Sequence, residues 1–337
     1  MSNAAEQLRD HRQPVTAVIL THNREGSLRT VLERLAELPL DEVVVVDNGS
    51  EDGTAALVDG WGGNVRRLDV GANKGIVARN TGVAEARNEL ILMLDDDSYP
   101  LPGAVEALAD VHRRLPRAGV VGGWVIDIEP DGRPRWSDQA GTFDWFLRMG
   151  RNGTVPAEGL PAIFFPEGGC MAKREAFLEC GGYYEPFFFT VMEVDLATRM
   201  LGAGWDVRYL PAARFEHMKE PSGRVPPQRM LRYAVRNQIW YFWRHFPAGM
   251  AARRIPAYLL FDLILCSAMG TPGSWGQGIA DAWRSRSAVR GTRVPLERSV
   301  IRRAELNRGR LHVRLVGLQA RKRVRRRLRG APNAHQT

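Results

Sequence analysis

The stretch LILMLDDDSYP, Leu90 to Pro100, runs five apolar residues directly into three consecutive aspartates. Adjacent carboxylates raise one another's pKa, and burying them is costly unless something positive stands nearby. Two readings follow from the residues alone. One is a solvated turn after a strand. The other is a divalent-cation site at a strand's carboxyl end, where ligands bind in open α/β sheets.

Reading outward from this stretch, the first hundred residues alternate strand-like and helix-like segments. VTAVILT (15–21) and EVVVVD (42–47) are short apolar runs closed by polar loops, and NVRRLDV (64–70) is a third, weaker strand. Between them SLRTVLERLAEL (27–38) places Leu28, Val31, Leu32, Leu35 and Leu38 at helical spacing, and GIVARNTGVAEARN (75–88) reads as another helix. Strands alternating with helices imply βαβ units and a mostly parallel sheet buried on both faces. THNRE, DNGSEDGT and the aspartates then fall on one edge, which a binding crevice explains and unrelated loops do not. Residues 120–190, rich in Gly, Pro and aromatics, read as loops and short strands. A helix is expected to begin near Val194, followed by a strand in GWDVRYLP (204–211). MLRYAVRNQIWYFWRHFP (230–247) forms a helix with a broad apolar face, and IPAYLLFDLILCSAMG (255–270), interrupted by Asp262, is too short for a confident membrane span.

Composition narrows the class. With 337 residues, 44% hydrophobic and 25% charged, the chain is an ordinary globular protein able to bury a large core. Three cysteines without metal-ligand spacing or an even-numbered framework fit a reducing compartment. The polar start MSNAAEQLRDHRQP lacks the apolar run of a secretory signal, so a cytoplasmic location is expected. From Ile301 onward twelve Arg or Lys face one acid, a net +11, leaving −2 on the first 300 residues. Arguments about basic partners therefore belong to that tail.

The quoted loops resemble those of family 2 glycosyltransferases, inverting sugar-nucleotide-dependent enzymes with the GT-A fold, the rhamnosyltransferases among them. VTAVILTHNREGSLRTVLERL is similar to their first strand, nucleotide loop and helix. EVVVVDNGSEDGT resembles V-V-D-[ND]-G-S-x-D-x-T, NKGIVARNTGV resembles N-x-G-x-x-x-[AG]-R-N-x-G, and LDDDSYP resembles the D-x-D motif. GGCMAKREAFLECGGYYEPFFFTVMEVDLATRMLGAGWDVRYLP follows the acceptor-side block, so the likeness spans roughly residues 14–245. It implies an α/β GT-A fold with a C-terminal helical extension. It also implies a nucleotide-sugar donor (UDP- or dTDP-linked) and a Mg²⁺ or Mn²⁺ cofactor. Asp97 would be the principal metal ligand, with Asp95 toward the ribose and metal, Asp96 supporting either, and His217 near the diphosphate or metal. Asp47 would meet the base, and Thr21, Asn23, Glu25 and Ser50 would line the nucleotide loops. Lys74, Gly75, Arg79 and Arg236 would serve the donor's phosphates or ribose, while Trp124 reads as core. His22 stands where Tyr or Phe is common in these proteins.

An inverting transfer also needs a carboxylate base for the acceptor hydroxyl. The family usually shows E-D-x-D-L where this chain has Met192-Glu193-Val194-Asp195-Leu196. The resemblance passes the base role to Glu193, with Asp195 as a helix-start residue or alternative base. Implied acceptors are lipid-linked or cell-envelope glycans, with natural-product glycosylation as another reading. GLQARKRVRRRLRG concentrates seven Arg or Lys between Arg321 and Arg329, suiting an anionic membrane surface or a solvated tail. The expected location is thus peripheral, at the inner face of the cell membrane. Nucleic acid is disfavoured because no aromatic stacking module accompanies the charge. A nucleotidyltransferase would need a Gly-rich basic signature that THNREGSL lacks, and a non-catalytic scaffold would not need both the aspartates and Glu193. The expected organisation is a polar stretch at 1–13, a GT-A catalytic domain at 14–225, a helical, membrane-apposed region at 226–300 and a basic amphipathic tail at 301–337.

Overall fold

The computed structural model describes residues 13–129, 131–135, 155–218 and 225–302. The polar N-terminal stretch to residue 12 and the basic tail from 303 lie outside the described residues. The chain divides into two compact units, 1–188 with 192–224, and 189–191 with 225–337.

The first unit is built on one sheet. Its strands are β1 (Val15–Thr21), β2 (Glu42–Asp47), β3 (Val65–Asp69), β4 (Leu90–Asp95), β5 (Ser98–Pro100), β6 (Ala118–Ile128), β7 (Pro134–Arg135), β8 (Leu160–Pro161), β9 (Cys170–Lys173) and β10 (Asp206–Met218). The main order is β3-β2-β1-β4-β9-β6-β10-β5. The first four strands are parallel, with α1 (Glu25–Leu35), α2 (Thr54–Asp59) and α3 (Arg79–Glu85) in the crossovers. Burial of Leu28, Val31, Leu32 and Leu35 on α1 follows the helical spacing in the sequence. Every residue of β2 is buried, as a parallel strand covered on both faces requires. Because β2 and β4 flank β1 on opposite sides, the chain reverses direction across the sheet there. Register puts Thr21 opposite Asp47 and Leu20 opposite Asp95, so the three polar loops share one edge at that switch point.

The expectation of loops and short strands over 120–190 does not hold throughout. Ala118–Ile128 is an eleven-residue strand in the middle of the sheet. Its glycines, which read as loop punctuation, are there because neighbours come too close for a side chain. A Cβ on Gly123 would lie 2.4 Å from Phe215 Cε2 and 2.6 Å from the Ala213 carbonyl oxygen. The last long strand also exceeds expectation, running to Met218. Its pairing with β6 jumps from Leu210↔Gly123 to Arg214↔Trp124, so Pro211, Ala212 and Ala213 bulge out, and pairing then resumes to His217↔Asp127.

The second unit contains α7 (Pro227–His245), α8 (Ala248–Ala268) and α9 (Pro272–Arg284), following α4 (Ala104–Arg114), α5 (Arg174–Glu179) and α6 (Met192–Gly202) of the first. Leu231, Val235 and Cys266 form its core with Ile239, Leu259, Leu265, Met269, Trp275 and Ile279 packed around them. The broad apolar face of α7 is consumed internally. Trp240 and Tyr241 are buried, Trp240 Nε1 donates to the Ala282 carbonyl at 3.1 Å, and of the helix's tryptophans only Trp243 is exposed.

Because the Ala213 carbonyl cannot yield as a flexible side chain would, Gly123→Ala is expected to lower stability by about 1–3 kcal/mol. Urea unfolding should show the midpoint falling with an unchanged slope.

Candidate active site

The site begins with the turn after β4. Asp95 N–H donates to Ser98 Oγ at 2.9 Å, and that hydroxyl donates to the Gly168 carbonyl at 2.7 Å. Gly168 leaves room for the Asp95 carboxylate, since a Cβ there would lie 2.3 Å from Asp95 Oδ2 and displace it. Met218 N–H donates to the Asp97 carbonyl at 2.7 Å, fastening the end of β10 to the same turn. The aspartates are therefore held by backbone and hydroxyl bonds from three separate elements.

Each aspartate meets a different electrostatic solution. Asp95 is ion-paired with the fully buried Arg79, which also donates to the Leu94 carbonyl at 2.7 Å and lies 3.6 Å from Glu167. Burial works against the Arg79 charge, but Asp95 and Glu167 hold its pKa above the ordinary arginine value. Burial alone would raise Asp97, yet His217 and Arg24 keep it below the usual carboxylate range. His217 Nε2 lies 3.1 Å from Asp97, its Nδ1 lies 2.8 Å from Asp127, and Arg24 Nη1 reaches Asp97 at 2.7 Å. These two aspartates push the His217 pKa up to about 10, outweighing its burial. Asp96 is pushed up to about 7 by burial and by its neighbours Asp97 and Asp95, with Arg24 opposing at 3.4 Å.

Asp95, Asp97 and His217 each bring one donor atom within 4.8 Å of the others. Two carboxylates and an imidazole suit Mg²⁺ or Mn²⁺, which take oxygen and nitrogen donors while leaving positions for water and phosphate. The surplus negative charge that raises Asp96 is what a divalent cation relieves. His217 offsets Asp97 as an imidazolium, and as a neutral imidazole it offers the nitrogen donor.

Around this centre the loops that follow β1 and β2 are tied together. Asp47 Oδ1 accepts from Ser50 N–H at 2.9 Å, Asn23 N–H donates to Ser50 Oγ at 3.0 Å, and Asn23 Oδ1 accepts from Glu51 N–H at 2.7 Å. Asn23 sits at φ 54°, a left-handed position asparagine tolerates better than most residues. Glu25 opens α1, with its N–H on Asp52 and its carboxylate on Arg29. Asn48 binds Lys74 N–H at 2.9 Å and the Gly75 carbonyl at 3.1 Å, leaving the Lys74 side chain exposed. Gly75 has φ 71°, and a Cβ there would lie 2.4 Å from the Phe188 carbonyl oxygen. Thr21 is buried at the end of β1.

Glu193 and Asp195 share α6 but differ in surroundings. Asp195 is fully buried and accepts from Arg199 Nε at 2.9 Å and Nη2 at 2.6 Å; Nη2 also donates to the Gly182 carbonyl. That is the bonding of a structural ion pair. Glu193 keeps part of its surface open, and burial pushes its pKa up to about 7, with Arg79 opposing and Asp95 adding to the rise. Glu167, buried beside Arg79, is raised well above the ordinary value by burial and by the charge of Glu193. Immediately before the helix, Phe188, Thr190 and Val191 all have φ near 60°. For a β-branched residue this is a strained conformation. Asn237 Nδ2 donates to the Phe189 and Thr190 carbonyls and so braces that stretch. Arg236, expected at the donor, belongs to the second unit, where its guanidinium lies 4.7 and 4.6 Å from the rings of Tyr233 and Trp240.

Sequence reasoning passed over Arg24, Asp127 and Glu167. Arg24 stands inside THNRE and Glu167 directly before Gly168, neither with a local mark of the distant charge it meets. Asp127 ends an apolar run, GVVGGWVID, just as Asp95 does, and that parallel was a usable signal.

Two outcomes test this geometry. Arg24→Gln removes a cation bonded to Asp97, so calorimetry should show Mn²⁺ binding severalfold tighter than wild type without nucleotide. Asp195→Ala strands Arg199 and should cost about 3–5 kcal/mol of stability, read from urea midpoints.

Comparison with known proteins agrees with the geometry. The family model described as Glycosyl transferase family 2 matches residues 16–181. The N-acetylglucosaminyl-diphospho-decaprenol L-rhamnosyltransferase of Mycobacterium tuberculosis is 30% identical over 266 residues, covering 69% of this chain and 84% of that protein. In fold, the chain resembles S. aureus TarS 1-349 in complex with UDP-GlcNAc, with TM-score 0.57, 14% identity and 92% of both chains covered. It also resembles the mannosyltransferase PcManGT from Pyrobaculum calidifontis in complex with GDP-Man and Mn²⁺, with TM-score 0.54, 18% identity, and 92% of this chain and 86% of that one covered. With the sheet, the carboxylate turn and these relatives in agreement, the chain belongs to glycosyl transferase family 2, has the GT-A fold and is a glycosyltransferase.

Proposed function

We propose that the protein transfers one sugar, with inversion, from a UDP- or dTDP-sugar to a hydroxyl of a lipid-linked or cell-envelope glycan. The observation that carries this reading is the meeting of Asp95, Asp97 and His217 at the sheet's switch point, with Glu193 in the same electrostatic network. The lipid-linked acceptor is supported by the name of the mycobacterial relative, which specifies a diphospho-decaprenol-linked sugar. A reaction on such an acceptor takes place at a membrane surface.

Asp95, Asp97 and His217 would hold Mg²⁺ or Mn²⁺, which neutralises charge on the departing nucleoside diphosphate. Asp47 and the Asn23–Ser50 loop pair would receive the nucleoside. Arg79, bonded to Asp95 and close to Glu167, fixes the floor between the metal side and the base side. Glu193 takes the proton from the acceptor hydroxyl as its oxygen bonds to the anomeric carbon. The bond to the diphosphate oxygen breaks with its electron pair remaining on that oxygen. A carboxylate raised to about 7 is well matched to this work, since general bases function best with a pKa near the working pH.

The sign of the pH dependence follows. Only ionised Glu193 accepts a proton, so turnover should rise about tenfold per pH unit below pH 7 and level off above it. Glu193→Gln should lower kcat about 100- to 10,000-fold while thermal stabilisation by UDP or dTDP persists. Asp97→Ala should abolish the Mn²⁺-dependent part of that stabilisation. If no nucleotide diphosphate stabilises the wild-type protein, with or without Mn²⁺, the donor assignment is wrong.

A further inference from the structure

Helix α8 carries apolar side chains on its outward side as well as its inward one. Of its 21 residues only Ala251, Asp262 and Cys266 are buried, so its one acidic residue faces inward. The inward side also carries Leu259 and Leu265, and Trp275 Nε1 donates to the Leu259 carbonyl at 2.7 Å. The opposite side exposes Arg253, Ala257, Leu260, Ile264 and Ser267, spaced four, three, four and three residues apart as one helical stripe. Leu260 is 61% exposed and Ile264 49%, among the most exposed large aliphatic side chains described. A helix apolar all round is ordinarily buried all round, so this stripe calls for an occupant.

Charge identifies which. The near-neutral total of the first 300 residues conceals two opposed parts. Residues 1–224 carry −10, residues 225–302 carry +9 and residues 303–337 carry a further +10. Residues 225–302, which include the stripe, have twelve arginines and three acids, and Arg253 and Arg254 lie exposed at the stripe's N-terminal end. The chain's own tail has the same sign and is a poor electrostatic match. So is the same face of a second copy. An anionic bilayer offers both an apolar interior for Leu260 and Ile264 and negative headgroups for the arginines. Among the described residues no helix is long and apolar enough to cross a membrane, so α8 would lie along the surface. Trp243 and Trp283, both exposed in this unit with Arg293 and Arg286 stacked over them at 4.6 and 4.5 Å, are side-chain types that favour that boundary.

We infer that the outward face of Ala248–Ala268, centred on Leu260 and Ile264, docks the protein onto an anionic phospholipid surface. This deepens the lipid-linked acceptor reading, but its test uses neither donor nor acceptor, so the two stand or fall separately. In the full chain with Cys180→Ser, Leu260→Cys would carry a polarity-sensitive fluorophore, and Glu37→Cys on exposed α1-proximal surface would serve as control. Vesicles containing phosphatidylglycerol should blue-shift the label at 260 and leave that at 37 unchanged, with little response to pure phosphatidylcholine. Unlabelled Leu260→Glu/Ile264→Glu should partition onto the anionic vesicles at least tenfold more weakly while keeping the wild-type unfolding midpoint. Sedimentation with vesicles without a shift at 260 would mean that the tail alone binds, and would overturn the inference. A blue shift already present without vesicles would overturn it too, assigning the face to a second copy if it rises with protein concentration and to the tail if it does not.

Discussion

Three carboxylates on one turn must be neutralised, and much of the first unit is arranged around that requirement. Asp95 draws in Arg79, a fully buried guanidinium that in turn needs Glu167 beside it. Asp97 draws in Arg24 from the loop after β1 and His217 from the end of β10, and His217 is shared with Asp127 on β6. Elements from residue 24 to residue 217 thus converge on a single electrostatic problem. Buried ion pairs of this kind contribute little net stability, because desolvation offsets most of their attraction. What they supply is position, which a catalytic site requires to within a fraction of an ångström.

The same network separates two neighbouring acids on one helix. Asp195 and Glu193 lie two residues apart, so they point to different sides of α6. Asp195 faces inward and is bonded directly to Arg199 through both Nε and Nη2. Glu193 lies near Arg79 without that direct compensation, and burial leaves its proton affinity close to neutral pH. Left-handed backbone at Phe188, Thr190 and Val191 leads directly into this helix.

The alternation of apolar runs with helical spacing made the parallel half of the sheet legible from the sequence, since strands buried on both faces leave a continuous signal. The shared edge of the three loops followed from that alternation alone. The antiparallel half was not legible, because Gly122 and Gly123 look like a turn until Pro166 and Phe215 are seen packed against them. The aspartates stand out from the residues alone as a candidate cation site, their separate roles and that of His217 come from the resemblance, and Arg24, Asp127 and Glu167 act through partners distant in sequence. A residue whose role is to compensate a charge seventy or ninety positions away carries no local mark. The charge division between the units was hidden for a simpler reason. Opposite excesses cancel when summed over 300 residues.

The bulge in β10 gives the site a ruler. Leu210 pairs with Gly123, and three extra residues intervene before pairing resumes at Arg214 with Trp124. Were those three residues paired in regular register instead of bulged out, Asp127 would stand opposite Arg214 instead of His217. Moreover, an odd shift turns every later side chain to the other face of the sheet. The imidazole therefore reaches Asp97 by counting. Drawing Pro211, Ala212 and Ala213 into the ladder would leave every side chain of the site chemically intact and yet deliver the wrong one to the corner where Asp97 stands.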